Sequence, residues 1–197
     1  MMFLKREAEA AVVLLHEIYG VNRFIEEAGR EFYGWGFDVY CPDLIGSGAC
    51  YPYSESDQAY VNFLGAGGFE QYVQINNMMR GLKQKYARII LIGFSAGATI
   101  AWRCTQSKLC DRMVGVYGSR IRDYREIEPE CGSLLLFADK EKSFDVRKLA
   151  DDLRNKKNTS VILLEGSHGF MDPYSKSYDK EPAIKAINEI REFIRDS

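Results

Sequence analysis

Short apolar runs alternate with amphipathic stretches along nearly the whole of this chain. Brief runs dense in Val, Ile and Leu are the mark of buried strands, and apolar positions recurring every three to four residues are the mark of helices laid against them. The predicted strands are AAVVLLH (10–16), FDVYC (37–41), RIILIG (88–93), MVGVYG (113–118), SLLLFA (133–138) and SVILLE (160–165). They show little polar alternation, which predicts burial on both faces, as in a mostly parallel sheet. Helical periodicity runs through NRFIEEAGREFYGW (22–35), FEQYVQINNMMRGLKQKY (69–86), AGATIAWRCTQS (96–107), FDVRKLADDLRNKK (144–157) and EPAIKAINEIREFIRD (181–196). Strands and helices taking turns define an α/β class with helices on both faces of the sheet. Residues 46–68, rich in Gly, Ser and Tyr, have no clear period and read as a surface excursion near the strand ends.

Composition narrows this picture. A length of 197 residues suits one domain spanning 1–197. The formal net charge of −2 gives no attraction to phosphate backbones or anionic lipid, so neither nucleic acid nor membrane is an expected partner. MMFLKREAEAA offers too short an apolar stretch for a secretory signal, and no run approaches a membrane span. The expected location is the cytoplasm, as a monomer or homodimer. Cys41, Cys50, Cys104, Cys110 and Cys131 show no C-x-x-C spacing, and His16 and His168 are the two histidines, which argues against a disulfide framework or a structural zinc site.

The chemistry concentrates at ILIGFSAGATIAW (90–102), where an aliphatic strand meets Gly93-x-Ser95-x-Gly97 and then a helical pattern. In that context the glycines permit a sharp turn that lifts the serine hydroxyl above the sheet. Average composition gives such a motif roughly 0.05 chance occurrences in a chain of this length. Against it stand a plain tight turn and a dinucleotide fingerprint. The fingerprint fails: its second and third glycines would be Ser95 and Ala98, and MVGVYG ends without the acidic residue that would hold a ribose.

A serine hydroxyl needs a base to take its proton and an acid to orient that base. In the order serine, acid, histidine, the base must follow Ser95 on the loop after the last strand, a position that His168 in LLEGSHGF fills and His16 does not. The acid belongs to LLLFADKEKSFDV, where spacing leaves Asp139, Glu141 and Asp145 open.

Several motifs in register resemble the dienelactone hydrolase family of the α/β-hydrolase fold: HEIYGVN (16–22), CPDL (41–44), GFSAGA (93–98), VGVYG (114–118) and GSHGF (166–170). The resemblance, running from about residue 11 to residue 195, implies an ester- or lactone-cleaving enzyme that works without a cofactor. It implies Ser95 and His168 as triad members, with the backbone N–H groups of Ile18 and Ala96 as the oxyanion hole. It favours Glu141 as the acid, since ADKEKSFD (138–145) aligns Glu141 with the family's aspartate, and it keeps Asp139 in reserve. Well-known members of the family carry cysteine where Ser95 stands, with a glutamate at the position of Glu17; a serine holds no stored thiolate, so Glu17 is expected to orient the elbow or the substrate. Two arginines that grip a carboxylate in dienelactone-cleaving members correspond to Ser56 and Asp172, so an anionic substrate is expected to be disfavoured. Only about nine residues precede the first strand and no insertion is long enough for a cap domain, which implies an open pocket with Tyr51, Tyr53, Tyr60 and Phe63 as possible walls.

The expectation is therefore a serine hydrolase of small carboxylic esters or lactones, acting through an acyl-enzyme. A catalytically silent binding protein, and a thioesterase or acyltransferase on the same scaffold, are the alternatives.

Overall fold

In the computed structural model, which describes residues 1–195, the apolar runs pair into a seven-stranded sheet. The strands are β1 (Met2–Leu4), β2 (Ala10–Leu15), β3 (Asp38–Cys41), β4 (Arg88–Phe94), β5 (Arg112–Val116), β6 (Gly132–Ala138) and β7 (Thr159–Leu164). Their order is β1-β3-β2-β4-β5-β6-β7, and only the β1–β3 pair is antiparallel. The long β2–β4 ladder, from Ala10 opposite Arg88 to Leu15 opposite Gly93, forms its centre. All six predicted strands are present, and β1 fills the room left for one more.

The helices are α1 (Arg23–Gly34), α2 (Ser56–Gly65), α3 (Tyr72–Leu82), α4 (Ala96–Cys104), α5 (Val146–Arg154) and α6 (Lys180–Arg195). Asn22 starts α1 by accepting the Ile25 N–H at 3.1 Å, and Asp145 starts α5 by accepting the Lys148 N–H at 3.0 Å. Asp196, the last position of the predicted C-terminal helix, lies outside the described residues.

Alternate strand residues feed two separate cores. Val12, Leu14, Ile90, Ile92, Val114 and Leu136 meet Ile25 and Phe32 of α1 and Ile190 and Ile194 of α6. Val13, Leu15, Leu91, Met113 and Leu135 face the other way, onto Met79 of α3, Trp102 of α4 and Leu149 of α5. Two-sided burial explains the near-continuous apolar character of β2, whose six residues are all buried. The same expectation fails for β7. It is an edge strand, and most of its residues are only partly covered.

Residues 46–68 are not the aperiodic excursion that their composition suggests, because they contain α2. The helix buries only Ala59 and Phe63, while Tyr60, Val61 and Leu64 point outward. Apolar residues on the wet face erase the periodic signal on which recognition depends. The predicted helix over 69–86 is likewise trimmed, its first turn being a tighter 3₁₀ segment, Gly68–Gln71.

From β2 the chain crosses through α1 to β3 on one side, whereas β4 returns on the other side of β2. The order therefore reverses between β2 and β4. A crevice opens at the C-terminal ends of strands at such a switch point, and no separate cap domain covers it among the described residues.

Candidate active site

Ser95 stands at that crevice, between the end of β4 and the first residue of α4, with φ 51° and ψ −110°. A non-glycine residue there is strained, and its neighbours hold it in place. A Cβ on Gly93 would come within 2.3 Å of the Gly97 carbonyl oxygen, and one on Gly97 within 2.3 Å of the Leu15 oxygen. Both glycines are thus required by contact. The Ser95 N–H donates to the Val116 carbonyl at 2.9 Å, which fixes the turn against β5.

The Ser95 hydroxyl lies 2.8 Å from His168 Nε2, and His168 Nδ1 lies 2.8 Å from Glu141 Oε1. Because Nδ1 faces a carboxylate, it carries the proton and leaves Nε2 to accept from the serine. Burial by itself would lower the imidazole's affinity for a proton; the hydrogen bond and charge of Glu141, together with the charge of Glu17, outweigh it and hold the pKa above the ordinary 6.5. The other two acidic residues left open by spacing have different partners. Asp139 Oδ1 accepts the Gly166 N–H at 3.0 Å, tying the two loops together, and Asp145 caps α5.

Ile18 lines the same cleft as Ser95. Ala96 opens α4, where backbone N–H groups lack intrahelical partners and carry the positive end of the helix dipole. The loop bearing Ile18 is held by His16, a residue whose role is not visible in the sequence. Its ring contacts the Glu17 carbonyl through Nδ1 and accepts the Leu44 N–H at Nε2 over 2.9 Å, so it is the neutral Nδ1–H tautomer. Burial pushes its pKa down and keeps it neutral.

Glu17 and Asp172 are brought together on the wall of this cleft of about 440 Å³, which Tyr53, Tyr19, Tyr174 and Lys176 also line. Glu17 is 5% exposed, and its pKa is raised to about 7. Burial is the main cause and the Asp172 charge adds to it, while His168 and the Tyr117 hydroxyl pull the other way. Asp172 receives the Tyr53 hydroxyl on one oxygen and the Tyr174 N–H on the other, the latter at 2.8 Å. Its pKa is also raised, by burial, against the pull of those hydrogen bonds.

Other expected residues sit elsewhere. Ser56 begins α2 and does not line the cleft; Tyr53 and Ser54, just before it, do. Of the four aromatic residues proposed as walls, only Tyr53 serves. Phe63 is packed in the core, the Tyr51 hydroxyl accepts from Asn62 at 2.6 Å, and Tyr60 lies toward solvent. For Phe63 and Tyr60 the reason is α2 itself, which turns Phe63 into the core and leaves Tyr60 toward solvent.

Tyr117 went unrecognised in the sequence. It follows β5 with φ 41°, is wholly buried, and its ring centre lies 5.0 Å from that of His168. Its hydroxyl has no partner at ordinary hydrogen-bond geometry and sits beside Glu17. Its position directly after a central parallel strand is the signal that could have marked it. Among the described residues, no group of three or more His, Cys, Asp or Glu side chains is arranged to hold a metal ion, and no helix is long and apolar enough to cross a membrane.

Similarity to known proteins follows the same outline. The chain is 36% identical over 190 residues to the uncharacterised protein YczH of Bacillus subtilis, covering 91% of this chain and 90% of that one. It is 26% identical over 187 residues to carboxymethylenebutenolidase 1 of Cupriavidus pinatubonensis, covering 86% and 78%. Among solved structures, the dienelactone hydrolase-like promiscuous phosphotriesterase P91 from metagenomic libraries superposes with a TM-score of 0.78 at 16% identity, over 98% of this chain and 88% of the other. The model of the dienelactone hydrolase family matches residues 1–197. With that match running through every segment that builds the crevice, the chain belongs to the dienelactone hydrolase family of α/β-hydrolases.

Proposed function

We propose that this member is a serine hydrolase that cleaves small carboxylic esters or lactones through an acyl-enzyme. The observation that carries the reading is the unbroken relay from Ser95 Oγ to His168 Nε2 and from His168 Nδ1 to Glu141, both links at 2.8 Å. A silent scaffold would have no need to hold three side chains from separate loops in that line, or to keep a strained serine at its head.

In this reading Ser95 Oγ attacks the substrate carbonyl carbon as its proton passes to His168 Nε2, and Glu141 stabilises the imidazolium. The tetrahedral oxyanion is received by the N–H groups of Ile18 and Ala96. Collapse breaks the bond to the alcohol oxygen, which takes the proton back from His168. Water then attacks the acyl-enzyme by the same proton route and releases the acid and free Ser95. The chemistry uses side chains, backbone and water alone.

Glu17 does not activate the nucleophile in this scheme. It lies against His168 and Tyr117, where its charge favours the imidazolium that forms at each transition state. The relatives' names agree with the reaction class, a carboxymethylenebutenolidase being among them.

Labelling with a fluorophosphonate, followed by mass spectrometry, tests the reading directly. The adduct is expected on Ser95, and Ser95→Ala is expected to lose both label and ester hydrolysis, the latter approaching a 10⁶-fold fall in kcat, on the order of that seen when comparable triads lose their serine. An unlabelled wild type, or an alanine variant within about tenfold of wild-type activity, would sink it.

A further inference from the structure

Two clefts flank His168, and they differ in charge. The first, already described, holds Ser95 together with the buried carboxyl groups of Glu17 and Asp172, with Lys176 as its one lining cation. The second, about 430 Å³ in volume, lies between the loop carrying Glu141 and the loop carrying His168. Its walls are Lys140, Lys142, Ser119, Ser143, Ser167 and Ser177, beside the two triad residues. His168 and Ser177 line both clefts, so the two meet at the imidazole.

Glu141 is committed to His168, and its side chain is only 4% exposed. That leaves the second cleft with two lysines and a ring of serine hydroxyls. Lys142 forms no ion pair among the described residues, while Lys140 reaches Glu165 at 3.4 Å through an exposed contact. Such exposed pairs contribute little and are readily exchanged for another anion.

The direction of the chemistry assigns a part of the substrate to each cleft. On the serine-hydrolase reading, the departing oxygen takes its proton from His168 Nε2, which puts the alcohol part beside the imidazole that both clefts share. The acyl part then lies by Ile18 and the carboxyl groups. We propose that the Lys140–Lys142 cleft receives the alcohol part of the substrate and selects alcohols bearing an anionic group, a carboxylate or a phosphate. This inference rests on the serine-hydrolase reading and adds a polarity to it: neutral or hydrogen-bonding on the acyl side, anionic on the leaving side.

The test uses two matched pairs of esters. In the first, 4-acetoxybenzoate is compared with its methyl ester, which places a carboxylate or its neutral counterpart on the leaving phenol. In the second, monophenyl adipate is compared with its methyl ester, which places the charge on the acyl side. The ratio of kcat/KM within each pair is read for wild type, Lys142→Gln and Lys142→Glu, with fluorophosphonate labelling of each protein as the independent check on Ser95.

The leaving-side ratio is expected to fall about threefold in Lys142→Gln and about tenfold in Lys142→Glu, in proportion to charge, and these differences should fade as ionic strength rises from about 0.01 M to about 1 M. The acyl-side ratio should change much less. A leaving-side ratio that stays constant through the series while labelling remains normal overturns the subsite and leaves the hydrolase reading intact. A wild type that takes up no label and cleaves neither pair removes both.

Discussion

Glu141 and His168 stand 27 residues apart in the chain, yet the Glu141 Oε1 and His168 Nδ1 atoms are 2.8 Å apart. Two residues before Glu141, Asp139 is turned to a different task, accepting the Gly166 N–H at 3.0 Å and so fastening the acid loop to the histidine loop. Both are acidic and share one loop, and one faces the imidazole while the other faces backbone.

Those partners predict opposite consequences for two conservative changes. On the serine-hydrolase reading, Glu141→Gln removes the charge that stabilises the imidazolium and disturbs the tautomer, so kcat should drop by about 10³- to 10⁴-fold. Asp139→Asn retains an oxygen for the Gly166 N–H and should stay within about tenfold of wild type. Steady-state kinetics on one neutral ester decides between them, and the reverse ranking would transfer the acid role to Asp139.

Glu17 predicts a pH dependence with a definite sign. Its pKa is raised from 4.5 in the unfolded chain to about 7 in the fold, so between those values the folded state holds more protons and stability falls as pH rises through that window. The full difference amounts to on the order of 3 kcal/mol at pH 8. Glu17→Gln is isosteric and uncharged. Its melting temperature relative to wild type should therefore be higher at pH 8 than at pH 5, and thermal denaturation at the two pH values would expose an error if the difference did not grow.

The same substitution should be visible in catalysis. The Glu17 charge is among the causes that raise the pKa of His168, and on the serine-hydrolase reading His168 must be neutral to accept the serine proton. The acid limb of the wild-type kcat/KM profile should therefore lie above pH 6.5, and Glu17→Gln should move it to lower pH. A limb that does not move, or moves upward, would mean that Glu17 does not act on His168 by its charge.

Two glycine substitutions contrast the elbow with an ordinary helix. A Cβ on Gly97 would meet the Leu15 carbonyl oxygen at 2.3 Å and the His16 carbonyl oxygen at 2.6 Å, both backbone atoms that cannot swing aside. Gly97→Ala is thus expected to destabilise the fold by several kcal/mol, on the order of a severe core defect, and to abolish hydrolysis. Gly81 in α3 meets nothing within 4 Å, so Gly81→Ala should stabilise by about 0.5–1 kcal/mol. Urea denaturation of the two variants gives the comparison.

Asp172 predicts selectivity on the acyl side. It lines the cleft beside Ser95, held by the Tyr53 hydroxyl and the Tyr174 N–H. A substrate carboxylate there should meet roughly 1 kcal/mol of repulsion in a wet site, about a fivefold penalty in kcat/KM. Asp172→Asn keeps the shape and removes the charge, so monophenyl adipate should gain on its methyl ester by about that factor. Equal ratios in the two proteins would show that Asp172 does not confront the acyl group.

Much of this molecule follows from the sequence by local rules. The strands declare themselves because β2, and β4 after its first residue Arg88, are buried on both faces and are apolar. The elbow declares itself because Gly93 and Gly97 are demanded by backbone contacts that any residue with a Cβ would violate. His168 is marked by its place after the last strand, since parallel crossovers put every functional loop at one end of the sheet. What the sequence left open depends on sums over distant segments. Asp139 and Glu141 are chemically interchangeable until the loop's path aims one at His168. His16 is read as an unused histidine until it is seen fastening Leu44 to the loop of Ile18. The raised pKa of Glu17 follows from burial of its carboxyl group in the folded chain, with the charge of Asp172 adding to it. Residue type and spacing are local properties; desolvation and hydrogen-bond direction belong to the packed whole, which is why only the tertiary structure decided them.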